Sequence, residues 1–310
     1  MIPFKVWRDG MRRVVSAPSV LVGVWTITTL AALPLAYAIR GDIVAGLGGS
    51  LTADSAARGM NYEWMQEFAG RATGLASTFR PTIVGFAGVL DNLSAFIDNV
   101  RRPSAVAAAS GIYVLIWVFL AGAVIDRYAG LPAARSKGFF AAGATYFVRL
   151  FRLALVAAIV YGLLFGALHP WLFSTVYPRL TRGVDVEPTA FMIRAGLYLV
   201  FLLILAAVNL VFDYAKVRAV VEDRRSMIVA LAASWRFIRR NPAGAVGVYL
   251  LNALLFAATL AAYALLAPPG GGVGVMVWAA FAVGQAYIAA RLCVRLLFFA
   301  SEAALFTSAD

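Results

Sequence analysis

Two pairs of polar residues lie one helical turn apart inside long apolar stretches: Asn209 with Asp213, and Arg291 with Arg295. At i, i+4 spacing each pair shares one face of a helix. An ionisable side chain within an apolar span is costly, and such groups mark ion paths, proton relays or counter-ions. Asp213 opposite Arg291 or Arg295 is therefore the sharpest chemistry this chain suggests. A plainer reading is preferred: the arginines snorkel to a membrane interface and Asp213 pairs locally with Lys216. A relay needs ionisable groups at mid-depth, and the chain offers there only Asn252, Gln285 and small residues.

The single histidine, His169, precedes Pro170 and Trp171, with Asp185 and Glu187 in the following connection. One histidine beside carboxylates suits acid–base work. No second histidine exists to complete a metal-binding spacing, so His-Pro-Trp reads as a helix end with interfacial aromatics. The lone Cys293 removes disulfides and cysteine metal sites. Phosphate-binding and nucleophile-elbow motifs are absent from the sequence. No metal or cofactor is expected, and the polar groups converge on no reaction, so a non-catalytic role is favoured.

A third set is basic and aromatic. Trp235, Arg236, Phe237, Arg239 and Arg240 alternate ring and charge, and Arg149 and Arg152 repeat the theme 90 positions earlier around Phe147 and Phe151. Such a face suits anionic lipid headgroups, each Lys or Arg adding about 1 kcal/mol at a charged leaflet. The less specific alternative is a topology anchor that selects no lipid.

These residues need long helices to position them. Of the 310 residues 62% are hydrophobic and 14% charged, against roughly 45–50% and 25% in a soluble domain. Apolar runs near 18–39, 105–125, 151–173, 190–212, 244–266 and 274–298 each approach the ~20 residues that cross a ~30 Å hydrocarbon core. Six transmembrane helices are expected. The net charge of +12 would raise nucleic acid as a partner. Most of the Lys and Arg, however, fall in alternate connections, as the positive-inside rule describes. Nucleic-acid binding is therefore set aside, and both termini are expected in the cytoplasm. Lys5 to Arg13, an apolar run and Ala36–Tyr37–Ala38 mimic a signal peptide, but the run is long and matches internal repeats, so a retained helix is expected.

A basic amphipathic segment followed by an apolar span occurs three times, beginning at Trp7, Tyr146 and Ala232. Pro18 and Pro242 punctuate the first and third copies. The helix closing each unit ends near an acidic residue, Asp126, Asp213 or Glu302. Repetition at this scale implies one supersecondary unit used three times. Outside the repeats lies one large loop. Gly41 to Ser50 reads as irregular, Met60, Trp64 and Phe68 recur at helical spacing, and Phe86, Val89, Leu90, Leu93, Phe96, Ile97 and Val100 form an apolar stripe. The segment 52–102 is expected as an outer helical cap. The gathered expectation is an all-α polytopic membrane protein forming one domain over 1–310, with three amphipathic inner-face helices and a basic cytoplasmic loop at 214–243. Gly162 with Gly166, and Gly244 with Gly247, are candidates for close helix packing.

The run Phe212–Asp213–Tyr214–Ala215–Lys216–Val217, then Glu222–Asp223–Arg224–Arg225–Ser226, then Trp235 to Pro242, resembles a group of bacterial six-helix membrane proteins. These are related to the membrane domain attached to some glycerophosphodiester phosphodiesterases. The resemblance is best over 210–260 and weaker over 136–170. It implies inner-membrane topology and a link to envelope lipids, and it transfers no catalytic residue. The leading expectation is a membrane component of lipid or envelope homeostasis that binds anionic lipid. The alternative is a transporter or permease subunit whose basic loop 216–243 meets a cytoplasmic partner. It predicts a polar cavity reaching Asn209, Asn252 or Gln285.

Overall fold

The computed structural model describes residues 3–58, 61–79, 86–130, 138–267 and 274–309. Met60 lies outside them. Among the described residues every regular element is helical. In chain order these are α1 (Pro3–Val15), α2 (Pro18–Gly48), α3 (Ala53–Ala57), α4 (Tyr62–Arg71), α5 (Phe86–Ile97), α6 (Ser104–Ala129), α7 (Phe139–Leu163), α8 (Tyr177–Leu180), α9 (Glu187–Val221), α10 (Met227–Arg240), α11 (Pro242–Leu266) and α12 (Val275–Ala309). A short 3₁₀ turn lies at Ala76–Thr78.

Among the described residues five stretches are long and apolar enough to cross a membrane: Pro18–Gly48, Ser104–Ala129, Phe139–Leu180, Glu187–Val221 and Pro242–Leu266. The sixth long helix, α12, is not among them and carries Arg291, Arg295 and Glu302 in its second half. At 35 residues, α9 and α12 each measure about 50 Å at 1.5 Å per residue. Both run well past the expected ends at 212 and 298.

Local chemistry sets the breaks. Pro18 and Pro242 begin α2 and α11, where the missing N–H costs nothing, and so separate α1 and α10 from the helices that follow. The second repeat has no proline at this point, and its amphipathic segment fuses with the next span as one helix, α7. Three separate amphipathic helices were expected; two are separate and the third is the first half of a longer rod. That rod turns π-helical at Leu164–Leu168 and Trp171–Val176. The His169 N–H bonds the Leu164 carbonyl and the Tyr177 N–H bonds that of Leu172. Each wide turn closes on the residue before a proline, Pro170 or Pro178, where the regular ladder loses a donor. After α9, Asp223 adopts φ +50° and ends the helix.

The contacts divide the chain into two compact units. The first comprises Met1–Val15, Trp117–Leu251 and Leu297–Asp310. Its core joins Val6 of α1, Leu210, Tyr214 and Val217 of α9, Phe237 and Ile238 of α10, Ala245 and Val248 of α11, and Ala303 to Phe306 of α12. Glycines allow the tightest crossings. A Cβ on Gly10 would lie 2.7 Å from Ser301 Cα, one on Gly122 2.9 Å from Tyr146 Cβ, and one on Gly247 2.7 Å from Pro3 Cγ. Gly244 meets Leu305, whereas Gly162 and Gly166 meet nothing within 4 Å. The repeats thus interlock. The segment of the second repeat lies on α6 of the first, α10 of the third packs Phe237 against Tyr214 of α9, and α1 of the first lies on α12 of the third.

The second unit comprises Ser16–Ile116 and Asn252–Leu296. Here α2 stays helical through the glycine-rich stretch expected to be irregular. Its Ile43 and Leu47 pack with Trp64, Met65 and Phe68 of α4, and that burial outweighs the ~1 kcal/mol helical penalty of a glycine. Asn61 caps α4, its Oδ1 accepting the Trp64 N–H at 2.9 Å. Phe86 places the start of α5 against Tyr263, which stacks on Tyr287 at 4.2 Å. The face α5 buries is Gly88 and Ala95, and its stripe residues Leu90, Leu93, Phe96 and Val100 are exposed.

Candidate functional site

Charge and core are segregated to opposite faces of α10. Met227, Ala230, Ala233, Ser234, Phe237 and Ile238 are buried, at the i, i+3, i+4 spacing of one helix face. Trp235 is 51% exposed on the other side, with Arg236, Arg239 and Arg240 exposed beside it. The helix contains no acidic residue. Among the described residues none of these three arginines enters an ion pair. The α1 helix has the same character, burying Val6, Gly10 and Val14 and exposing Lys5, Arg8 and Arg12.

The two arginines of the second repeat differ. Arg152 is exposed. Arg149 forms an ion pair with Asp223 and lies over the Tyr146 ring at 5.7 Å, so its charge is committed within the protein. Sequence periodicity does not show this, because Asp223 is 74 positions away.

A partly buried polar network lies in the same unit. Asn209 links three helices: its Oδ1 accepts the Tyr161 hydroxyl at 3.1 Å, and its amide donates to Asp213 Oδ2 at 3.2 Å and to the Tyr249 hydroxyl at 3.3 Å. The Lys216 ammonium donates to Asp213 Oδ1 at 2.6 Å. Asp213 therefore takes the local partner. Glu302 joins this group as a fully enclosed carboxylate, 1% exposed. Neither of its oxygens has a hydrogen-bond partner among the described residues. Burial foremost, and the Asp213 charge second, push the Glu302 carboxyl well above the usual carboxylate range, while Lys216 opposes them.

The three acidic residues at the ends of the repeats have separate environments. Asp126 is fully buried and accepts the Tyr146 hydroxyl at 3.3 Å; Asp213 has Asn209 and Lys216; Glu302 has no donor among the described residues. The sequence suggested all three through the repeat. Tyr161, Tyr214 and Tyr249 were not anticipated, since a tyrosine in an apolar span carries no periodic signal that sets it apart from other aromatics.

The remaining candidates lie elsewhere. Trp25 donates to Gln285 Oε1 at 3.2 Å, Arg295 lies over the Tyr113 ring at 5.9 Å, Arg291 is exposed, and Asn252 is fully buried. His169 is buried among rings, with Phe173 at 4.6 Å and Phe201 at 5.1 Å. Asp185 and Glu187 are exposed. Among the described residues no three His, Cys, Asp or Glu side chains gather as a metal site. A cleft of about 400 Å³ between the 3₁₀ turn, α5 and the start of α6 is lined by Asp91, Asn92 and Arg102. Arg102 pairs with Asp91 at 3.5 Å.

The apolar helices mark the chain as a membrane protein by length and composition. Compared with known proteins, it matches no family model, no curated protein and no solved structure.

Proposed function

We propose that this chain is a non-catalytic component of a bacterial inner membrane that acts in lipid or envelope homeostasis by binding anionic lipid along α10. One observation carries the reading: Trp235, Arg236, Arg239 and Arg240 are exposed together, on a helix without acid, opposite the face buried in the core. A ring seated at headgroup depth with three adjacent guanidiniums supplies apolar contact and bidentate phosphate donors. Arg152 and the exposed Lys5, Arg8 and Arg12 extend the same chemistry, while Arg149 is paired with Asp223. In this reading α12 is the sixth span, over 274–298, both termini are cytoplasmic, and α5 lays its exposed stripe against the outer surface. The resemblance over 210–260 points the same way.

The alternative is a transporter or permease subunit with a cytoplasmic partner at 216–243. Of the three groups expected to line its cavity, Asn209 and Gln285 are engaged by tyrosines, Asp213 and Trp25 and Asn252 is fully buried, which favours the lipid reading. Native mass spectrometry of gently extracted protein tests it. Retention of one anionic lipid class, lost when Arg236, Arg239 and Arg240 become Gln, is the expected result. Lipid loss without class selectivity, together with a co-purifying ATPase, would overturn it.

A further inference from the structure

The geometry points to a second, independent site: we propose that Glu302 is a proton-binding site, carrying its proton at neutral pH inside the network centred on Asp213. Four observations place it there. The carboxylate is 1% exposed and both oxygens lack a partner among the described residues. An ionised carboxylate so enclosed forfeits its hydration with nothing in return. Lys216 already donates to Asp213 and Arg218 is paired with Glu222, leaving one negative charge uncompensated if both acids ionise. The Tyr214 hydroxyl is also fully buried without a partner among the described residues, and it lies within electrostatic reach of both Glu302 and Asp213. A protonated Glu302 is neutral and removes the repulsion.

The surroundings of Glu302 come from five helices. From α9 come Asp213, Tyr214 and Lys216, with Arg218 stacked over Phe306 at 4.9 Å. From α11 comes Tyr249. The elements packed on its neighbours are apolar at the contact: Gly10 of α1 on Ser301, Trp117 of α6 near Phe299, and Phe237 of α10 near Phe306. Lys216 leads outward, its side chain about a third exposed (31%). Binding is a simple addition, carboxylate plus proton giving carboxylic acid, with no bond broken elsewhere. A metal cation is the rival occupant, but among the described residues no third His, Cys, Asp or Glu joins Glu302 and Asp213 to hold one.

The test uses the full chain in lipid nanodiscs. Infrared difference spectra between neutral and alkaline pH should show a protonated-carboxyl band at neutral pH. It should be lost in Glu302→Gln, kept in Asp213→Asn, and displaced by carbon-13 glutamate labelling of the wild type. The labelling arm does not depend on any variant folding. Stability supplies the second readout. A carboxyl whose folded value is raised stabilises fully below its unfolded value, and that contribution is lost as pH rises through the folded value. The wild-type melting temperature should therefore fall relative to Glu302→Gln as pH rises from the ordinary carboxylate range through the folded value. The proposal is overturned if the labelled band is absent at neutral pH, or if the two melting profiles run parallel across that range. It is also overturned if sodium restores alkaline stability where a bulky organic cation at equal ionic strength does not, since the occupant is then a metal cation.

Discussion

Replacing Gly10 by Ala tests whether the first repeat closes onto the last. The added Cβ would lie 2.7 Å from Ser301 Cα and 2.8 Å from both its N and Cβ, where apolar atoms prefer about 3.5–4.0 Å. These are backbone-side atoms of a buried helix, so α1 and α12 must part by about 1 Å. Overpacking of this kind costs about 1–3 kcal/mol. Against it stands the helical gain of Gly to Ala, about 1 kcal/mol, leaving a net loss of roughly 0–2 kcal/mol for Ala. Gly10→Leu, with more bulk at the same crossing, should reach the top of that range. The control is Gly70→Ala in α4, where nothing lies within 4 Å of the new carbon and no loss is expected. Denaturant unfolding in mixed micelles, followed by tryptophan fluorescence, measures all three. A Gly10→Leu variant as stable as wild type would refute the docking of α1 on α12 and the interlocked repeats with it.

Tyr146→Phe removes the hydroxyl bonded to Asp126 Oδ1, and Oδ2 already lacks a partner among the described residues. A loss of about 1–3 kcal/mol is expected for the orphaned acid, and an unchanged melting temperature would contradict it. Trp64→Ala with Phe68→Ala should release the packing on Ile43 and Leu47, large-to-small changes worth about 3–5 kcal/mol each in a full core. Hydrogen exchange should rise over 43–79 and stay unchanged over 210–250. Asp223→Gly trades an ion pair with an exposed partner for relief at φ +50°. Stability should stay within about 1 kcal/mol of wild type, and a loss beyond 2 kcal/mol would make Arg149–Asp223 a structural anchor.

The membrane class, the long helices and the three basic amphipathic segments were legible because hydrophobic length and 3.6-residue periodicity are local properties. The exposed face of α10 follows from residues within one helix, so Trp235, Arg236, Arg239 and Arg240 could be named from spacing alone. Arg149 was read as a member of the lipid-binding set, and its ion pair with Asp223 could not be read from spacing because it depends on where α9 ends. The irregular Gly41–Ser50 segment failed for a tertiary reason: α4 supplies Trp64 and Phe68 to cover α2. Asp126, Asp213 and Glu302 were visible as repeat-end acids. That Glu302 alone of the three has no donor among the described residues depends on tertiary packing, which local spacing does not encode.

The most direct test of the lipid account is photo-crosslinking in nanodiscs with two phospholipids, one anionic and one zwitterionic, each carrying the same photoreactive headgroup. The account predicts that the anionic probe labels the peptide containing Trp235 to Arg240 and that the Arg236, Arg239, Arg240 to Gln variant loses this label. Equal labelling by both probes, or anionic labelling that bypasses α10, would contradict it.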